Sequence, residues 1–153
     1  MNTNRKNRKL VWISELLLGI GLAVVIVLLA IPWSMADAAG VPDGVEIEGV
    51  EVIRCTVSDA PEMVTVEDDE SCQRFADCLR GSRGRWSGFA GKTFIQDHGV
   101  SYELYISCSD EQSVHCRLFD GKLYCESFRF TLSGGDAARL TQCITELMET
   151  AAE

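Results

Sequence analysis

Leu16–Ile31, LLLGIGLAVVIVLLAI, is a run of sixteen apolar or glycine residues without a charge. A run of that kind fixes the compartment in which the rest of a chain folds. Arg5, Lys6, Arg8 and Lys9 precede it and Pro32 follows it. A basic flank stays on the cytoplasmic side of a membrane, so the pattern predicts a cytoplasmic tail over 1–9, a single-pass transmembrane helix over 10–32 and the remainder outside the cell. Counted from Leu10 to Ile31 the span is 22 residues, about 33 Å of helix at 1.5 Å per residue, enough to cross a bilayer. Glu15 sits near the cytoplasmic end, within reach of the headgroup region or of Arg8 and Lys9.

Two other fates are written into the margins of the same run. Ala36-Asp37-Ala38 has the small-x-small pattern of a signal-peptidase site, which predicts a secreted protein beginning at Ala39. The uncharged run is longer than the usual apolar region of a signal peptide, which favours a retained signal-anchor. No Leu-x-x-Cys acylation site lies nearby. The segment also resembles the start of type IV pilins, with Glu15 and Pro32 at the fifth and twenty-second positions if Val11 is the first residue. That resemblance implies a cell-surface assembly component. The residue before such a cut is Leu10 rather than the glycine the pilin pattern has, and Gly40, Pro42 and Gly44 break the helix that pilins continue.

Beyond residue 33 there are ten Lys/Arg against 22 Asp/Glu, a net charge of about −12. Such a surface repels phosphate backbones, so nucleic acid is not expected as a partner. About 105 residues from Val45 onward suffice for one small core. Residues 33–48 read as a polar tether and 49–153 as the extracytoplasmic domain.

Within that domain, Gly49–Val57 and Met63–Val66 predict two strands around the turn signal Ser58-Asp59-Ala60-Pro61. Acids at 67–70 and Ser71 then start a helix with Cys72, Phe75, Ala76 and Leu79 on one face, ending at Gly81. Gly81–Gly91, GSRGRWSGFAG, reads as a glycine-rich loop. Strands follow at Val100–Cys108, Val114–Phe119 and Lys122–Leu132, with Asp120-Gly121 a strong hairpin signal. Ser133 to Asp136 caps a last helix whose stripe is Leu140, Cys143, Ile144, Leu147 and Met148. The expected fold is α+β: an N-terminal transmembrane helix and a two-layer domain, an antiparallel sheet with two helices on one face in the order β-β-α-β-β-β-α. The VTVEDDE step into a helix and the Y-x-L-x-I strand before an Asp-Gly hairpin resemble, in layout, small membrane-tethered or lipoprotein-like bacterial extracytoplasmic domains of unknown function.

All seven cysteines lie beyond the apolar run. With Asp120 and Gly121 as a two-residue loop, Cys116 faces Cys125 at a non-hydrogen-bonded site, where Cα separations suit a disulfide. Cys108 falls on the same face, one diagonal away. An exported compartment preserves disulfides, whereas small buried thiols are equally at home in a core. Seven is odd, and Cys78, off its helix's main stripe, is the candidate for the unpaired thiol. Metal ligation is not expected: there is no C-x-x-C, and His115 and Cys116 point to opposite faces of a strand. Neither His98 nor His115 has an identifiable orienting partner for a cysteine nucleophile. WSGFAGKT ends like a phosphate-binding loop, but Trp86 stands where its first glycine belongs. No cofactor is called for.

Arg80, Arg83, Arg85 and Lys92 with Trp86 and Phe89 form the one basic, aromatic stretch in an acidic domain. They are the candidate contact loop, either solvated or facing an anionic envelope polymer, lipid headgroups or an acidic protein. The sequence thus points to a membrane-anchored extracytoplasmic binding or accessory module without enzymatic activity. A secreted or pilin-like component, and then a thiol-dependent enzyme, are the alternatives.

Overall fold

The computed structural model describes residues 3–41, 43–91 and 99–151 and, in the first helix, the side chains of 12–27, 29 and 30. The chain divides into two units, Met1–Ile31 and Pro32–Glu153. The first is the helix α1, Thr3–Ala30. Its described large apolar side chains are exposed, from Trp12 at 73 % and Leu18 at 77 % to Leu29. Among the described residues no helix is long and apolar enough to cross a membrane. The expected span of 10–32 is helical only to Ala30, and Pro32 opens a strand instead.

The second unit is an α+β domain. Its strands are β1 (Pro32–Ser34), β2 (Ile47–Thr56), β3 (Glu62–Val66), β4 (Arg83–Phe89), β5 (Val100–Cys108), β6 (Ser113–Phe119), β7 (Lys122–Cys125) and β8 (Phe128–Leu132). Its helices are α2 (Met35–Ala39), α3 (Asp69–Gly81) and α4 (Gly134–Thr150). The strands form one sheet in the order β1-β4-β8-β7-β6-β5-β2-β3, antiparallel throughout. After the β2–β3 hairpin, α3 carries the chain to the opposite end of the sheet. There β4 slots between β1 and β8.

Alternation makes one face of the sheet apolar and the other polar. Val50, Val52, Leu104, Ile106, Cys116, Leu118, Leu123 and Phe130 point to one side. There they join Phe75 and Leu79 of α3, Leu140 and Ile144 of α4, and Met35 and Ala36 of α2 in a single core. Both long helices begin as their sequences predict. Asp68 accepts from the Ser71 N–H at 2.8 Å, and the Ser133 hydroxyl accepts from the Asp136 N–H at 3.2 Å. Accepting that bond, together with the Ser71 hydroxyl, holds the Asp68 carboxyl below its ordinary range.

Four expectations need correcting. Of the expected tether 33–48, residues 33–41 are built into the domain: β1 pairs with β4, Trp33 packs on Phe130 with ring centroids 6.3 Å apart, and Met35, Ala36, Ala39 and Val41 are buried. The Met35 N–H donates to the Ser82 carbonyl at 3.0 Å, and Gly40, at φ +84°, ends α2 and lets the chain turn. The stretch 81–91 is not a loop but contains β4. Lys122–Leu132 is not one strand but two, β7 and β8, joined by a turn in which Glu126 takes φ +50°. Among the described residues three helices, not two, cover the apolar face.

Candidate functional site

The β6–β7 hairpin forms in the expected register: Phe119 opposite Lys122, Leu118 opposite Leu123, Arg117 opposite Tyr124 and Cys116 opposite Cys125. Asp120 and Gly121 both have positive φ, as a type I′ turn requires. Cys116 and Cys125 lie in the core, 1 % and 2 % exposed, with their sulfurs 2.8 Å apart and Cys116 donating. The expected disulfide is not formed; no bridge joins any two cysteines among the described residues. The Cys125 thiol is pushed up by its hydrogen bond with Cys116 and by burial, and burial also raises those of Cys72 and Cys108. Cys108 is farther from the pair than expected, because Cys116 faces Leu104 and Cys108 lies two same-face positions along β5.

A second thiol pair was not foreseen. Cys78, in the last turn of α3, has its sulfur 3.9 Å from the Arg139 carbonyl oxygen of α4, one helical turn before Cys143, and both cysteines are half-buried. The signal was present in the sequence as one thiol on each helix. That α3 and α4 lie side by side was not.

The candidate contact residues do not act as one loop. Arg80 is engaged in structure: its guanidinium donates to the Val45 carbonyl at 2.9 Å and pairs with Asp77 at 3.6 Å and Asp43 at 3.9 Å. Lys92 and His98 lie outside the described residues. Arg83 and Arg85 project from the polar face of β4, and Gly84 and Trp86 from the apolar one, so the sheet separates the cations from the aromatics. Trp86 meets Phe89 edge-on at 5.6 Å, and Phe89 meets Phe128 at 5.8 Å. Phe89 is 68 % exposed.

The polar face of the sheet is divided by charge. Toward β1, Arg83, Arg85, Lys122 and Arg129 share it. Arg129 is fixed by donating to the Ser87 carbonyl at 2.7 Å across the β4 bulge, and Lys122 lies 3.5 Å from Asp120. Among the described residues neither Arg83 nor Arg85 has an ion-pair partner, and both are exposed. Toward β3, Glu48, Glu51 and Glu67 line an open depression of about 740 Å³ floored by Tyr105 and Ser107. Between the two halves Glu103, largely covered, accepts from His115 at 2.6 Å and from Arg117, and Tyr105 stacks on the His115 ring at 4.6 Å. His115 thus has an orienting carboxylate after all, but Cys116 is on the other side of the sheet. Among the described residues no group of three His, Cys, Asp or Glu is arranged to hold a metal. Compared with protein-family models, with curated proteins and with solved structures, the chain finds no match.

Proposed function

We propose that the protein is a membrane-anchored, extracytoplasmic binding module whose basic sheet edge lies against anionic lipid headgroups. The observation that carries the reading is the junction. Only Ile31 separates α1 from β1, and β1 is the edge strand whose register partners on β4 include Arg83 and Arg85. If α1 enters the bilayer, these two arginines are held by hydrogen-bonded pairing beside the residue at which the chain leaves it. The apolar side chains exposed along the described part of α1 support such an anchor, since water is a poor surrounding for that surface. Each cation near an anionic leaflet contributes about 1 kcal/mol.

The same junction argues for a retained anchor rather than a cleaved signal. Ala36-Asp37-Ala38 lies inside α2, with Ala36 buried, and a cut after Ala38 would strip β1 and Met35 from the domain. The mature chain is therefore expected to start upstream of Pro32 on N-terminal sequencing. For the lipid contact, the full chain in nanodiscs is compared in zwitterionic and in anionic lipid by hydrogen exchange. Slower exchange in β1 and β4 with anionic lipid, lost in R83Q/R85Q, is the expected result. Equal exchange in both lipids would exclude the contact, and a mature chain beginning at Ala39 would exclude the anchor.

A further inference from the structure

The Cys78–Cys143 pair differs from Cys116–Cys125 in the way that matters for chemistry. The strand pair is sealed in the core, whereas the helix pair is only half-buried, between α3 and α4. Its placement follows from geometry. Cys78 Sγ lies 3.9 Å from the Arg139 carbonyl oxygen. In an α-helix that carbonyl accepts from the N–H four residues on, which is Cys143. Cys143 therefore occupies the face of α4 that Arg139 presents to α3, one turn along.

The surroundings of Cys78 favour a thiolate. The Arg139 guanidinium donates to the Gly81 carbonyl and to Ser82 Oγ at 3.4 Å, which holds a cation at the C-terminal end of α3. The Cys143 thiol and the nearby Arg139 guanidinium bring the Cys78 thiol down to about 7 against the opposing effect of burial. The Cys143 thiol is pushed up, first by its hydrogen bond to Cys78 and then by burial. Of the two sulfurs, that of Cys78 lies in the helix turn against which the Arg139 guanidinium is held, and it is the one disposed to attack.

We infer that Cys78 and Cys143 are a thiol–disulfide exchange site that takes a low-molecular-weight disulfide, with Cys78 attacking and Cys143 resolving. The Cys78 thiolate attacks one sulfur of RSSR, the S–S bond breaks, and RS⁻ leaves and takes up the proton that Cys78 had given to solvent. The mixed disulfide on Cys78 is no longer an acceptor for the Cys143 proton. Cys143 then deprotonates, its sulfur attacks Cys78 Sγ, and the second RS⁻ leaves and is protonated. Two protein thiols are oxidised by two electrons, RSSR is reduced to two RSH, and a disulfide joins α3 to α4.

The test uses the reduced full-length chain in mild detergent, exposed to oxidised glutathione, then alkylated under denaturing conditions and mapped by peptide mass spectrometry. The alkylatable thiols are expected to fall from seven to five, with a Cys78–Cys143 linked peptide as the first product. In C143S, glutathione is expected to stay on Cys78, and in C78S, Cys143 is expected to remain unmodified over the same time. Full alkylation of both cysteines in the unmutated chain, an earlier Cys116–Cys125 link, or glutathione on Cys143 in C78S would each overturn the assignment. The unmutated chain alone decides the matter if a variant fails to fold.

Discussion

Gly84→Ala puts a methyl group into the side chain that docks the N-terminal segment on the domain. A Cβ built at Gly84 would lie 2.7 Å from Met35 Cε, 3.0 Å from Met35 Sδ and 3.4 Å from Phe130 Cβ. Carbon atoms are comfortable at about 3.5–4.0 Å, so the Met35 methyl must retreat by roughly 1 Å. Methionine is flexible, but Met35 is fully buried, so its end can retreat only against packed neighbours. Overpacking of this kind costs about 1–3 kcal/mol. Met35→Ala alone leaves a cavity and costs about 2–5 kcal/mol. In the double variant the new methyl finds the space that Sδ and Cε have left, so the two losses are expected to fall short of additivity by at least about 1 kcal/mol. Urea unfolding of the full chain in mild detergent, followed by the fluorescence of the half-buried Trp33 and Trp86, measures the cycle. Additivity within about 0.5 kcal/mol, or a Gly84→Ala chain as stable as its parent, would refute the packing of Met35 over β4 and with it the inclusion of 32–41 in the domain.

Glu103→Ala leaves Arg117 and His115 without their shared acceptor and should destabilise the domain by about 1.5–3 kcal/mol, the range for hydrogen bonds to charged groups, with Glu103→Gln intermediate by denaturant titration. Glu126→Gly removes a side chain from a left-handed backbone that costs a non-glycine residue about 1–2 kcal/mol. After the greater unfolded-state entropy of glycine, about 0.5–1 kcal/mol, a gain of a few tenths to 1 kcal/mol remains, read as a melting rise of up to about 4 °C. Alkylation of Cys78 should rise with pH around a midpoint of about 7, where an unperturbed thiol titrates near 8.5. The lowered value means that the reactive thiolate is present above that midpoint and lost below it, so the site-resolved rate should drop about tenfold from pH 8 to pH 6. A rate still climbing steeply above pH 8 would contradict the lowered value.

The parts of the fold that could be read from the sequence are those whose cause is local. The Asp120-Gly121 turn fixes its own geometry and every pairing back to Cys116 and Cys125, and the helical stripes of α3 and α4 show themselves by spacing. Glu126 hid the β7–β8 turn, because a glutamate at positive φ carries none of the glycine or asparagine signature by which such turns are recognised. The β4 strand was hidden for a reason of a different kind. Its apolar face alternates glycine with Trp86, and glycine is read as a loop residue unless something else supplies the missing side chain. Met35, 49 positions earlier, supplies it. The glycine-rich stretch and the apparent tether therefore explain one another, and neither could be recognised before the other was in place. This mutual dependence also relocates the candidate site. Arg83 and Arg85 matter through the strand that sets them beside β1, and the same alternation turns Trp86 away to the far side of the sheet. The chemistry of the two thiol pairs divides along the same line: the hairpin pair was legible because a turn makes it, and the helix pair was not, because only the packing of α3 on α4 brings Cys78 to Cys143.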